Sequence, residues 1–416
     1  MIISRMMWTV VAVLTGVLAA SAAGLPKEYA RVEWIGSTGT QYIKTGIVPN
    51  GEKVKVDIKY AFTKLGAEVY AFGYFSTSGS FGTAVGVNAS YKVRYRVYKT
   101  AGVGDAADTG VHEMSLNAVG GTVMDGNVLD ASMAEVVDSG AMEYYAFGRN
   151  VDNSFNPSSV RIYHLAIDLN GRPARDFVPC RRLSDGEPGL YDLVEGGFYE
   201  NDGTGRFDAG ATIARASEVQ RLEYAESTGT QYVDTGVAPL GRVPEVRMDY
   251  QMMALVDDTC PFGYWDSHSG ISTGTSIGIK DNKMRYRVAG KAEYYGVADT
   301  NRHTIVMNSP DGTFIDEHLV SEGFRGAVDS SSSLSYYLFA RNYFDTTYRA
   351  LFTSARIYSF VLKIDGVTVL DLVPVRLRAN GEVGLWDQER KLFYAPTGGA
   401  LIAGPEIRSG FMVFVM

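Results

Sequence analysis

Ser37-Thr38-Gly39-Thr40-Gln41-Tyr42-Ile43-Lys44-Thr45-Gly46 returns almost unchanged as Ser227-Thr228-Gly229-Thr230-Gln231-Tyr232-Val233-Asp234-Thr235-Gly236. The string STGTQY is identical in both places, and an apolar residue and then Thr-Gly follow at the same spacing. A match of that length is no accident, so the chain is one domain written twice. The repeat period, about 190 residues, is far longer than the roughly 20 to 50 of solenoids and propellers, so each copy builds its own core.

Outward from that string the text alternates. Between residues 53 and 62, Val54, Val56, Ile58, Tyr60 and Phe62 interleave with Lys53, Lys55, Asp57 and Lys59, the period of two of a strand with one wet face. The copies then run side by side. Ala71-Phe72-Gly73-Tyr74 answers Pro261-Phe262-Gly263-Tyr264, and Lys92-Val93-Arg94-Tyr95-Arg96-Val97 answers Lys283-Met284-Arg285-Tyr286-Arg287-Val288. Insertions fall between the matched strings, as they do when the strings are strands and the gaps are loops. Asn170-Gly171 and Asp365-Gly366 each separate two strand-like runs and supply the positive φ of a two-residue hairpin. Gly120-Gly121 and Asp311-Gly312 mark a second hairpin in each copy. No segment beyond residue 23 carries a capped apolar stripe at helical spacing. The fold class is therefore all-β, two tandem antiparallel β-sandwiches.

The first residues are different. Arg5 precedes an apolar run over 6–20, and Ala20-Ser21-Ala22 offers small residues where a signal peptidase cuts. Residues 1–23 read as a secretory signal, with an uncleaved anchor as the alternative, and the protein as secreted or held at the cell surface. The domains follow as 24–210 and 218–404, joined by 211–217. A tail over 405–416 ends in Phe411-Met412-Val413-Phe414-Val415-Met416, too short to span a membrane and suited to an added strand or a sticky end. Loss of Arg5 takes the net charge from -8 to -9. An acidic chain without a basic tract argues against nucleic acid and anionic membranes as partners, and no membrane insertion is expected after signal cleavage. Cys180 and Cys260 occupy non-equivalent places and read as buried thiols, with one bridge between the domains as the alternative.

Three longer strings resemble a known family: STGTQYIxTG at 37–46, RIYxxxI…G…RDFVP at 161–179, and DGxxGLYDxxxxxFYxNxGTGxFxAG at 185–210. They resemble a bacterial domain of the concanavalin A-like lectin/glucanase superfamily, in its laminin-G-like branch. The second copy keeps Arg356-Ile357-Tyr358, Val373-Pro374 and Gly384-Leu385, and departs at Ala395-Pro396-Thr397-Gly398-Gly399. The resemblance implies jelly-roll sandwiches in an exported or surface protein. It also implies sugar binding on a concave face, with calcium in some members of the superfamily, and carries over no catalytic motif.

Catalysis finds little footing in the residues. Glycosidases need two carboxylates across a cleft, and the nearest acidic cluster, Glu135-Val136-Val137-Asp138, has no counterpart beyond Asp329. Matched His112 and His303 lack a retained Ser or Cys partner for a nucleophilic triad, and read as histidines beginning strands. Acids that calcium would need, Asp257, Asp258 and Asp202, are not retained between copies, so no cofactor is expected. The polar set kept in both copies is Arg94, Arg96, Tyr145, Arg149 and Asn150, matched by Arg285, Arg287, Tyr337, Arg341 and Asn342. Arginines beside tyrosines on a sheet face grip an acidic or neutral glycan by bidentate hydrogen bonds and ring stacking. The same residues equally suit a solvated face and satisfied loop carbonyls. The expected function is a non-enzymatic binding or adhesion protein with a glycan ligand; the alternative is a structural module that contacts another surface protein.

Overall fold

The alternating run at 53–62 forms the strand Val54–Phe62, with Val54, Val56, Ile58, Tyr60 and Phe62 buried and the polar positions between them half-exposed. In the computed structural model, residues 25–407 are described except 132, 134–135, 268–271 and 344–350. The segment read as a signal and the apolar end of the tail lie outside the described residues.

The residues up to Gly210 and those from Ala211 onward form two compact units, and each holds two large, mainly antiparallel sheets that share one core. In the first unit the larger sheet runs Asn127–Asp130, Gly121–Met124, His112–Asn117, Val54–Phe62, Ser159–Leu169, Arg172–Arg182, Pro188–Asp192, Gly197–Tyr199. The smaller runs Ser154–Pro157, Gly148–Val151, Val69–Ser76, Phe81–Val87, Lys92–Val97, Thr100–Ala106. Val56, Ile58, Leu165 and Ile167 from one sheet meet Phe72, Tyr74, Val85 and Tyr95 from the other in a single buried cluster. The second unit repeats this, with Val246, Met248 and Leu362 against Phe262, Tyr264, Ile277 and Tyr286. Each such fully buried side chain contributes about 1.5–3 kcal/mol. Among the described residues the regular structure is strand apart from one short 3-10 turn, Ala216–Glu218, and no helix is long and apolar enough to cross a membrane. The fold is the all-β antiparallel sandwich the alternation predicts.

The hairpins stand where the turn residues put them. Asn170 (φ 54) and Gly171 (φ 76) join Ser159–Leu169 to Arg172–Arg182, and Asp365 (φ 51) and Gly366 (φ 80) join Ser354–Ile364 to Val367–Leu377. STGTQY is a local knot. Gln41 Oε1 accepts from Ser37 Oγ (3.1 Å), Thr38 N (2.9 Å) and Thr38 Oγ1 (3.2 Å). Gln231 does the same for Ser227 Oγ (3.0 Å), Thr228 N (2.9 Å) and Thr228 Oγ1 (3.2 Å). Gly39 sits at φ 111, outside the range open to other residues. The departure near residue 398 preserves this packing: a Cβ on Gly398 would lie 2.3 Å from the Thr230 carbonyl oxygen, as one on Gly203 would lie 2.1 Å from that of Thr40.

The expected join at 211–217 is a correction. Thr212–Ile213 pairs with Leu392–Tyr394, and the carbonyl of buried Ala214 accepts the Trp386 indole N–H at 2.9 Å. The small residues that suggested a linker fit beneath Trp386 and belong to the second unit. At the far end, Glu406 bridges to Leu222 and the Ile407 N–H donates to Arg221 O at 3.0 Å, so the start of the tail extends a sheet edge. Cys180 and Cys260 are both free and buried, and burial pushes the Cys180 thiol up to about 12.

Candidate functional site

The site grows out of the middle strand of the smaller sheet. In Phe81–Val87 the core takes Val85 and Val87, so Gly82, Ala84 and Gly86 face outward. Register places Gly86 between Tyr70 and Arg94, Ala84 beside Arg96, and Gly82 beside Phe75. Having no side chains, the glycines let rings lie flat on the sheet. A Cβ on Gly86 would fall 2.3 Å from Tyr70 Cδ1, and one on Gly82 3.1 Å from Phe75 Cδ2.

Arg149 arrives by a backbone switch. Tyr145–Ala146 runs antiparallel to Val69–Ser76, the chain turns at buried Phe147 (φ 68), and Gly148–Val151 then runs parallel to that strand. A non-glycine residue held there costs about 1–3 kcal/mol, and Phe339 (φ 63) repeats it in the second unit. The turn delivers the Arg149 guanidinium to 3.6 Å from the Tyr70 ring centre and 5.0 Å from that of Phe75. Arg94 Nη1 donates to Glu68 Oε1 and Oε2, each at 3.1 Å. Arg96 Nη1 donates to Ser80 O at 2.8 Å, and its guanidinium stands 5.2 Å from the Phe75 ring centre.

The second unit rebuilds this face from different residues. Trp265 takes the place of Phe75, packing on Gly274, and carries Arg287 at 4.2 Å and Arg341 at 5.7 Å from the ring. Asp258 replaces Glu68, accepting from Arg285 Nη1 at 2.9 Å and from Lys280 Nζ at 3.0 Å. Cys260 replaces Tyr70, with its Sγ 3.8 Å from Arg285 Nη2. Arg285 and Arg341 are 4% and 7% exposed, Arg149 9%. The Nε–H groups of Arg149, Arg285, Arg287 and Arg341 are buried without a hydrogen-bond partner among the described residues, each a loss of about 1–3 kcal/mol when left so. Burial, and then Arg285 and Arg341, lower the Arg287 pKa to about 10. Burial lowers Arg149 too, with Arg94 and Arg96 adding to it.

Not all of the matched polar set gathers here. Tyr145 packs instead against Tyr42 (5.0 Å) and Phe155 (6.4 Å) at a tilt, and Tyr337 stacks with Tyr232 (4.5 Å). Asn150 is a clip: its Nδ2 donates to Glu143 O at 3.0 Å and its Oδ1 accepts from Asn153 N at 2.9 Å. Asn342 likewise donates to Ser335 O at 2.8 Å. These four side chains hold loops, and Tyr70, Phe75 and Trp265 are the rings beside the arginines. Those rings back the guanidiniums and sit against glycine, so they are not open plates for a sugar. In the second unit a ring that is open stands next in register. Tyr294, 48% exposed, pairs with Arg285, where the first unit has Val103 opposite Arg94. Tyr294 escaped the sequence because the copies differ there; Phe75 and Trp265 lie one residue past a matched string.

The remaining candidates are structural. His112 Nδ1 lies 2.7 Å from Asp125 Oδ2 and Nε2 2.9 Å from Asp108 Oδ1. His303 repeats the clamp with Asp316 (2.6 Å) and Asp299 (2.9 Å). Glu135 lies outside the described residues. Asp138 Oδ1 accepts from Gly140 N at 2.8 Å, and buried Asp329 accepts from Tyr264, Thr275 and Tyr336 hydroxyls. Asp257 Oδ2 takes the Asp281 N–H at 3.1 Å, and Asp202 Oδ2 the Lys44 N–H at 2.8 Å. Among the described residues no three His, Cys, Asp or Glu side chains stand together as a metal site.

Compared with protein-family models and with curated proteins, the chain matches none. Among solved structures it is similar to domains LG4-5 of the mouse laminin alpha1 chain at 11% identity and TM-score 0.30, covering 93% of this chain and 97% of that one. It is also similar to the LG1-3 region of the laminin alpha2 chain at 9% identity and TM-score 0.30, covering 91% and 66%.

Proposed function

We propose that the chain is an exported, non-enzymatic binding protein whose ligand is a glycan, held on the outer face of the smaller sheet in each unit. The observation that carries this reading is the pairing, in the second unit, of a solvent-facing Tyr294 with Arg285, with Arg287 two residues along the same strand. A tyrosine ring lends an amphipathic plate to a sugar's C–H face, while guanidiniums fix its oxygens. The repeat of the arginine face in the first unit supports two sites on one chain, where linkage raises avidity without new contacts. Export rests on the charged, apolar, small-residue order of the first 23 residues. A glycan array followed by calorimetry, with and without calcium, tests it. Saccharide binding that Tyr294→Ala weakens, by removing the second unit's ring, is expected; no saccharide binding in either condition would overturn it.

A further inference from the structure

The two units differ at one edge of their larger sheets. In the second, Thr212–Ile213 lies antiparallel along Leu392–Tyr394, with Thr212 opposite Phe393 and Ile213 opposite Leu392. The Ala214 N–H then donates to Lys391 O at 2.9 Å, and Leu392, Phe393 and Tyr394 are all buried. In the first, Gly197–Tyr199 holds the same place, and among the described residues no strand lies beyond it. Gly197, Phe198 and Tyr199 are correspondingly only half-buried. Ladder bonds alternate along an antiparallel pair, so the bond at Lys391 puts the Phe393 amide toward Thr212 and its counterpart, the Phe198 amide, on the outer side. Open edges pair with other chains unless Lys, Pro or a bulge blunts them. Gly197-Phe198-Tyr199 carries neither Lys nor Pro and meets Pro188–Asp192 without a bulge.

We propose that residues 411–416 of one copy of the chain add as a strand to Gly197–Tyr199 of a second copy. Those residues are apolar at six successive positions, so a strand made of them needs cover on both faces, unlike Val54–Phe62 with its one wet face. The edge offers cover on both. Phe198 packs on the outer cluster of Val178, Cys180 and Tyr191, and Tyr199 packs on the main core. Main-chain bonds to the edge then give affinity and the two apolar faces give specificity. At the spacing of the repeated string, Thr212 and Ile213 correspond to Ala22 and Ala23, which leave with the signal when it is cut. The proposal thus rests on the signal reading of residues 1–23, and not on the glycan. Residues 408–410 alone separate the segment from Ile407, which is bonded to Arg221 of the second unit, a reach of about 14 Å. So short a tether restricts folding back within one chain and places no limit on a second copy. Copies joined this way associate head to tail, closing as a reciprocal pair or ring or growing as a filament.

Light scattering over a concentration series, with amide hydrogen exchange on the same samples, decides it for the secreted chain, its first residue read by mass spectrometry. The mean mass should rise with concentration, and the Phe198 amide should exchange at least about tenfold more slowly in the associated form. Truncation after Ile407, or Val413→Pro in the full-length chain, should leave a monomer whose Phe198 amide exchanges freely. A peptide of residues 408–416 added to the truncated chain should restore the protection. Protection of Phe198 by residues 408–416 in a monomer would give the edge to the chain's own segment and overturn the second copy. Association that leaves Phe198 unprotected, or that survives both variants, would overturn the edge. A full-length monomer with a freely exchanging Phe198 amide would overturn both. A chain that keeps Ala22 and Ala23, with Phe198 protected even after truncation, would overturn the proposal together with the signal reading.

Discussion

The Arg149 guanidinium lies 3.6 Å from the centre of the Tyr70 ring, and Tyr70 in turn lies where a side chain on Gly86 would have to be. Glycine, ring and cation form one stack rising from the sheet. A cation so placed and partly desolvated is held by about 0.5–2 kcal/mol.

Gly86→Ala should break that stack from below. Its Cβ would meet Tyr70 Cδ1 at 2.3 Å and the Val69 carbonyl oxygen at 2.4 Å, and the backbone contact has no rotamer to escape into. A loss of about 1–3 kcal/mol is expected in denaturant unfolding. Gly171→Ala, whose Cβ would meet nothing within 4 Å but whose φ is 76, should cost only about 1 kcal/mol of turn strain.

The buried tyrosines separate the units. Tyr336 OH donates to Asp329 Oδ2 at 2.8 Å, whereas the Tyr144 hydroxyl is buried with no partner among the described residues. Tyr336→Phe should cost about 1.5–3 kcal/mol, because it takes a donor from a buried carboxylate, and Tyr144→Phe should be close to neutral. Equal effects in unfolding experiments would refute the difference between the two cores.

The histidine clamps give a pH signature. Burial opposes the imidazolium of His112, but its hydrogen bonds to Asp125 and Asp108 outweigh it and raise the pKa; His303 behaves alike with Asp316 and Asp299. A raised folded-state value means the stabilisation is complete below the unfolded pKa, about 6.5. It is then lost as pH climbs through the folded value. The Gly110 N–H, and then His112, lower Asp108, so its contribution fades only as pH falls below the usual carboxylate range. Resistance to thermal unfolding should therefore fall as pH rises above about 6.5. His112→Asn with His303→Asn should flatten that slope.

Much of this architecture was legible because period and repeat are global signals. Val54–Phe62 alternates over its whole length, and Asn170-Gly171 and Asp365-Gly366 can do little except turn. The site was half legible. Arg94, Arg96 and Arg149 and their counterparts were found as matched residues, but matching alone does not say which way a side chain points. Tyr145 and Asn150 recur because loops need them. Tyr70, Phe75, Glu68 and Tyr294 join the arginines through cross-strand register, which the sequence does not print. The join at 211–217 was misread for a similar reason: small residues suit a linker, and they equally suit a strand packed under Trp386.

The most direct measurement is a nitrogen–proton correlation spectrum of the arginine Nε–H groups of the full chain, titrated with the saccharides that a glycan array selects. The Nε–H resonances of Arg285, Arg287 and Arg341 should move together and saturate, with that of Arg149 following at higher concentration. Saturable binding that leaves these four unmoved would contradict the account.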